Sequence, residues 1–265
     1  MSAFWSRIVV ALAALPVVLG IVWLGGWWIF ALAALAAVAA LHECWLMVRP
    51  LRPLALAGYG GALLALLGAH LGGSTWMTAG FLATFVLAFG FQLVSRTRAP
   101  ATVAIGSTVL GAAWVGFGLA HLILLRDLPT HGRLAVIAVL LAVFAADTVA
   151  YFVGRLIGRH KLAPSLSPGK TWEGFVAGTA AAIFVVFIAL YRTGFVDGWR
   201  SVALGVAVAF AEAAGDLFES ALKRDMQVKD TGRMLGGHGG VLDRLDSLLF
   251  AAPAAFYVIL VFGPS

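Results

Sequence analysis

Residues 201–262 read SVALGVAVAFAEAAGDLFESALKRDMQVKDTGRMLGGHGGVLDRLDSLLFAAPAAFYVILVF: an apolar run, a charged stretch from Lys223 to Asp246, and a second apolar run. A helix needs roughly 20 apolar residues to cross a hydrocarbon core of about 30 Å. The two runs suit that length, and the stretch between them suits an aqueous loop. Working outward, the same alternation covers the chain, with runs at 8–24, 27–48, 54–72, 76–94, 101–125, 134–153, 172–191, 201–219 and 245–262. The composition agrees: 62% of the 265 residues are hydrophobic, 11% are charged and the mean hydropathy is +0.99. Soluble domains carry about 25% charged residues, so this chain could not clothe itself for water. The expected fold is an all-α polytopic integral membrane protein of about nine transmembrane helices. Only Gly25-Gly26 separates the first two runs, which leaves eight spans as an alternative. The first run, behind Arg7, also has the outline of a signal peptide, but no small-residue cleavage site followed by a soluble domain is seen.

Basic residues orient the spans. With the N-terminus in the cytoplasm, the cytoplasmic connections hold 14 of the 18 Lys and Arg residues: Arg7, Arg49, Arg52, Arg96, Arg98, Arg155, Arg159, Lys161, Lys170, Lys223, Arg224, Lys229, Arg233 and Arg244. The other side keeps Arg126, Arg133, Arg192 and Arg200. That asymmetry is what the positive-inside rule demands, and it places the C-terminus opposite the N-terminus. The lone cysteine, Cys44, lies in an apolar run and excludes an internal disulfide framework. Alanine-rich runs such as ALAALAAVAA suit close helix packing. No internal repeat or heptad pattern appears, so residues 1–265 are expected to form one integral membrane domain.

Acids inside membrane helices are costly, about 2.5–3.5 kcal/mol each at the centre on insertion scales, so their positions are informative. Glu212, Asp216 and Glu219 stand at i, i+4 and i+7 and share one helical face, which Lys223 extends by a turn. Asp147 lies two turns from the end of its run; Asp243 and Asp246 are three apart where the last run begins. Taken singly, each has a plain structural role open to it. Glu219 with Lys223 makes an interfacial ion pair, and Asp243 or Asp246 a helix cap. Together they bring carboxylates from three separate segments to one membrane face. Such oxygens, with substrate phosphates, hold hard cations like Mg²⁺. Asp127 and Asp197 lie on the far side and are expected to be loop residues.

The run GGHGG, Gly236 to Gly240, adds backbone that can adopt positive φ and line up N–H groups as an anion nest. Lys223, Arg224, Lys229, Arg233 and Arg244 supply counter-charge. His238 is open to three roles: ligand, acid–base group or turn residue. A second basic loop lies within DTVAYFVGRLIGRHKLAPSLSPGKTWEG, Asp147 to Gly174. In it Ser167-Pro168-Gly169 is expected to be a turn and helix lead-in. Thr171 and Glu173 are polar groups at the start of the next helix. Lys170 is either a phosphate contact or a snorkelling interfacial lysine. PSLSPGKT is not a P-loop, because proline stands where its first glycine belongs.

These residues carry a resemblance. SALKRDMQVKDTGRMLGGHGGVLDRLD, Ser220 to Asp246, resembles the signature of the phosphatidate cytidylyltransferases, or CDP-diacylglycerol synthases. Ser220, Leu222, Lys223, Arg224, Lys229, Asp230, Gly232, Leu235, His238, Gly239, Gly240, Asp243, Arg244 and Asp246 stand at its fixed positions. Gly215-Asp216 and SPGKTWEG are similar to the family as well, as are Asp147, Tyr151, Gly154 and Arg155. The motif-level likeness spans about 145–250. One departure is Gly236, where many relatives have proline. The resemblance implies that CTP and phosphatidate react to CDP-diacylglycerol and pyrophosphate. It implies Mg²⁺, with K⁺ as a second cation in some members, and metal ligation by Asp216, Asp243 and Asp246, to which Asp147 is added. Lys223, Arg224, Asp230, His238 and Arg244 are the catalytic candidates. Ser167, Lys170, Thr171, Glu173, Lys229, Gly239 and Gly240 are the candidates for substrate binding. Implied partners are CTP, phosphatidate, the lipid bilayer and a second copy of the chain as homodimer, with no nucleic acid. Residues 1–140 are then assigned to packing and dimer contacts, and 141–265 to catalysis. The expected location is the bacterial inner membrane with the active site on its cytoplasmic face.

The residue inventory suits that chemistry. A phosphomonoester near neutral pH is already largely anionic, so the task is to bring two polyanions together rather than to generate a strong base. Cations and basic side chains do this, and no serine or cysteine nucleophile is poised. Two rivals remain open: another CTP-dependent lipid enzyme, such as a polyprenol kinase or CDP-archaeol-type synthase, and a transporter. A transporter would spread acids along a path to both faces. The spaced pattern of CDP-alcohol phosphotransferases is missing.

Overall fold

The computed structural model describes residues 16–94, 100–232 and 239–262. Arg7, Arg96, Arg98, Arg233, His238 and the start of the first apolar run lie outside the described residues. The chain forms two compact units, Met1–Asp127 with Met226–Leu245, and Leu128–Asp225 with Asp246–Ser265.

In the first unit, residues 16–24 are helical (α1). The helix breaks at Gly25 and Gly26, which take φ of 67° and 54°, and α2, Trp27–Met47, follows. A short 3-10 turn, Arg49–Leu51, leads to α3, Ala55–Val94, of 40 residues. A straight helix of that length would run about 60 Å, twice the hydrocarbon thickness. It does not run straight. Gly72 (φ −144°) and Gly73 (φ 68°) interrupt it, and the arms on either side are the runs expected at 54–72 and 76–94. The arms meet backbone to backbone: a Cβ built at Gly68 would overlap the Trp76 carbonyl, and one at Gly80 the Leu64 carbonyl. Next come α4 (Ala101–Gly111), a π-helical turn (Ala112–Phe117) and α5 (Gly118–Arg126), forming one continuous helical span. Arg126 donates from Nε to the Val22 carbonyl at 2.6 Å, satisfying an end of α1. His70 Nδ1 stands 3.8 Å from Asp127 Oδ2. Burial pushes the Asp127 carboxyl up from its ordinary value, and His70 and Arg126 partly offset this.

The second unit is built on α6 (Gly132–Ile157), α7 (Trp172–Leu190) and α8 (Trp199–Asp225), joined by α9 from Asp246 onward. The whole of α9 is Leu242–Phe262. Small residues let α6 and α7 close on each other. A Cβ at Gly174 would lie 2.6 Å from the Ala150 carbonyl oxygen, and one at Gly178 2.7 Å from that of Ala146. Between α6 and α7 the chain makes an antiparallel ribbon, β1 (Lys161–Ala163) and β2 (Ser167–Thr171), pairing Lys161 with Thr171 and Ala163 with Ser167. This corrects the expected turn at Ser167-Pro168-Gly169, which belongs to β2. In a two-stranded ribbon Pro168 interrupts no interior ladder, so the usual objection to proline in a sheet does not apply. Apart from the ribbon the architecture is helical. Among the described residues, seven helices are long and apolar enough to cross a membrane, α3 counted as one.

Candidate active site

In the second unit a cavity of about 610 Å³ opens among α6, the ribbon, α7 and α8. Helix α6 brings Asp147, Tyr151 and Arg155 to it; the ribbon brings Ser167, Lys170 and Thr171; α8 brings Glu212 and Asp216. The helical spacing of the acids is what aims them together. Lys170 Nζ meets Asp216 Oδ2 at 2.6 Å, and Ser220, a turn later on α8, donates to Asp216 Oδ1 at 3.3 Å. Asp147 and Glu212, from α6 and α8, line the same cavity. Lys223 Nζ meets Glu219 Oε2 at 2.7 Å, as the i, i+4 spacing expects. Asp246 is 9% exposed, and its backbone comes close to α8 at Gly215. Gly215 permits that approach, since a Cβ there would lie 2.5 Å from the Asp246 carbonyl oxygen.

Thr171 is the N-cap of α7 and accepts the Gly174 N–H at 3.2 Å. Glu173, in the first turn of α7, accepts from the His160 N–H and meets His160 Nδ1 at 2.7 Å. It does not line the cavity. Arg224 is exposed and donates from Nε to the Leu166 carbonyl at 3.2 Å, tying the end of α8 to the ribbon.

The first unit holds the remainder of the signature. Gly239 takes φ of 79°, a conformation for which glycine is suited. The Gly240 N–H donates to Asp243 Oδ2 at 2.7 Å, and the Thr231 N–H to Asp243 Oδ1 at 3.3 Å. The Gly240 amide expected to face an anion is thus held by the chain's own carboxylate, that of Asp243 on the first turn of α9. Lys229 and Asp230 are exposed in irregular backbone, and Arg244 is exposed on the first turn of α9. Among the described residues, no three His, Cys, Asp or Glu side chains converge as a ready-made ion site. The donor chemistry nonetheless fits a hard cation, since Asp216, Glu219 and Asp246 present only carboxylate oxygens.

Sequence reasoning missed Glu43. This residue of α2 is 0% exposed and accepts the Leu242 N–H, the first of α9, at 2.9 Å. A signal was present: a carboxylate near the end of the apolar run 27–48 is costly unless partnered.

The chain matches the profile of the "Cytidylyltransferase family" over residues 5–262. It is 33% identical over 266 residues to a protein of Brucella abortus named phosphatidate cytidylyltransferase, covering 99% of this chain and 96% of that protein. A Mycobacterium bovis protein of the same name is 36% identical over 256 residues, covering 86% of this chain and 79% of that one. One from Haemophilus influenzae is 43% identical over 134 residues, 49% of this chain and 46% of that one.

Proposed function

We infer, from the premise that the chain belongs to the cytidylyltransferase family, that it is a phosphatidate cytidylyltransferase of the membrane. It transfers the CMP group of CTP to phosphatidate, giving CDP-diacylglycerol and pyrophosphate. A phosphate oxygen of phosphatidate attacks the α-phosphorus of CTP. The bond from that phosphorus to the α–β bridging oxygen breaks, and pyrophosphate leaves with the electron pair. The observation that carries this reading is the cavity where Lys170 and Asp216 pair at 2.6 Å beside Asp147 and Glu212, in a chain matching a named enzyme nearly end to end.

We assign roles to the residues accordingly. Lys170, with Ser167 and Thr171 of the ribbon, takes phosphate oxygens of CTP. Lys223, Arg224, Lys229 and Arg244 offset the charge of the two phosphorylated substrates, and Asp230 and His238 complete the catalytic loop. Asp216 and Asp246, with Asp243 three residues earlier on α9 and Asp147 from α6, are the proposed Mg²⁺ ligands, K⁺ being a second cation. When bound, the metal neutralises phosphate oxygens and stabilises the leaving pyrophosphate. The ammonium groups of Lys170 and Lys223 hold the acids in place through charge-assisted hydrogen bonds.

The topology fits a lipid substrate. Nine spans, with α3 counted as two and the first run included, put both basic loops on the cytoplasmic face where nucleotide is found. We place the enzyme in a bacterial inner membrane as a homodimer. The deciding assay supplies labelled CTP, solubilised phosphatidate and Mg²⁺ to the purified protein. Liponucleotide that forms only with both substrates is expected. Its absence, with phosphate transfer to a polyprenol instead, would replace the assignment with a CTP-dependent kinase.

A further inference from the structure

Glu43 lies on α2, far in sequence from every motif that carries the resemblance, and it is fully buried. Its Oε2 accepts the N–H of Leu242, 199 residues away. The first N–H groups of a helix have no partner within it, so Glu43 acts as a remote N-cap for α9. A carboxylate one turn from the C-terminus of its own helix is badly placed with respect to that helix's dipole. At the N-terminus of α9 it is well placed. The cost of burying it in α2 is therefore offset at the start of α9.

Two signature glycines surround the same carboxyl. A Cβ built at Gly232 would overlap Oε1 of Glu43, and one built at Gly240 would overlap Oε2. Neither glycine has a positive φ, so backbone conformation does not explain the residue type. Space does: each lacks a side chain where Glu43 lies. Gly240 also donates its N–H to Asp243, as does Thr231. Glu43 thus sets the first N–H of α9, and Asp243, next along, closes the loop back on itself.

We propose that Glu43 is a positioning residue for the cytidylyl transfer. It holds the start of α9 and the backbone of Gly232 and Gly240 so that Asp243 is presented in its working orientation. The proposal rests on the assignment of residues 220–246 to the active site. It predicts that Gly232 is required because Glu43 is there, so the two must be energetically coupled.

The experiment is a double-mutant cycle on the purified full-length protein, with Asp243→Ala in parallel. Kinetics are normalised to the folded fraction from detergent size-exclusion and thermal unfolding. Glu43→Ala and Gly232→Ala are each expected to lower kcat about tenfold or more, a size typical of misplaced catalytic groups, with KM for phosphatidate within about threefold. Glu43→Gln keeps both the side-chain volume and an acceptor oxygen for Leu242 and should retain kcat within about threefold, whereas Glu43→Met, of similar size but without that acceptor, should lose kcat as Glu43→Ala does. Gly232→Ala should cost nothing further in the Glu43→Ala background, the signature of coupled neighbours. Independent multiplicative losses in the double variant would overturn the proposal, as would wild-type kinetics for Glu43→Ala beside an inactive Asp243→Ala. An active Asp243→Ala would instead overturn the site assignment itself. If Glu43→Ala does not fold, Glu43→Gln and Gly232→Ala decide: equal loss in both refutes the cap, loss in Gly232→Ala alone supports it.

Discussion

In the second unit Asp216 and Glu219 are each met by a lysine ammonium, at 2.6 and 2.7 Å; in the first, Asp243 and Glu43 are met by backbone N–H groups, at 2.7 and 2.9 Å. Both arrangements satisfy a carboxylate, but they differ in what can be exchanged. An ammonium on a flexible stem can turn toward an incoming phosphate, leaving its carboxylate to a metal cation. A backbone amide is fixed by the helix or turn that contains it. The lysine-held acids are therefore equipped for chemistry and the amide-held acids for shape. Asp243 belongs to the second kind in this structure, and serving as a metal ligand as well requires it to use its remaining lone pairs.

That contrast can be broken at several points. The largest effect should come from Asp246→Ala and Asp216→Ala, with kcat falling about 10³-fold or more while membrane insertion persists. Activity of the solubilised protein across a Mg²⁺ titration checks this, and wild-type turnover in Asp246→Ala would end its assignment as a metal ligand. Lys170→Gln should cost about 10²-fold in kcat/KM for CTP. Lys170→Arg, which keeps charge but changes shape, should fall between that variant and wild type. A Lys170 that only braced Asp216 would show its loss in thermal stability and not in CTP kinetics. Thr171→Val keeps the shape of the side chain and removes the cap of α7. It should lower stability by about 1 kcal/mol and Tm by about 2–4 °C, read by thermal unfolding in detergent, and raise KM for CTP because the same hydroxyl is assigned to its phosphates. His160→Ala removes an exposed partner of Glu173 and should change Tm by less than about 2 °C and activity by less than about twofold. A large loss there would promote Glu173 from a ribbon brace to part of the site.

The sequence made the apolar runs legible because a run of 20 apolar residues has few other uses: α7 falls close to the expected 172–191, while α8 starts near the expected 201 but continues to Asp225, beyond the expected 219. The acid face of α8 was legible for a related reason: helical period alone puts Glu212, Asp216 and Glu219 together. The ribbon was not, because β1 has only 3 residues, too short for any alternation, and Pro168-Gly169 carries the chemistry of a turn. The role of Glu43 was hidden differently. Its partner is a backbone N–H, which every residue but proline possesses, and it lies 199 positions away. No spacing rule reaches that far. The identity of Gly232 and Gly240 was visible in the signature, yet its reason lies in α2.

The bend at Gly72 and Gly73 has a consequence for biogenesis. From Leu71 to Trp76 the chain reads LGGSTW, without a charged side chain, and the arms on either side touch through backbone at Gly68 and Gly80. A pair of helices joined this way carries no ion across the bilayer and satisfies nearly all its amides internally. It can enter the lipid as a preformed hairpin, with the turn leading. A single lysine at Ser74 would burden that entry with a charge to be carried across. The break that divides one helix into two arms also lets the two arms enter together.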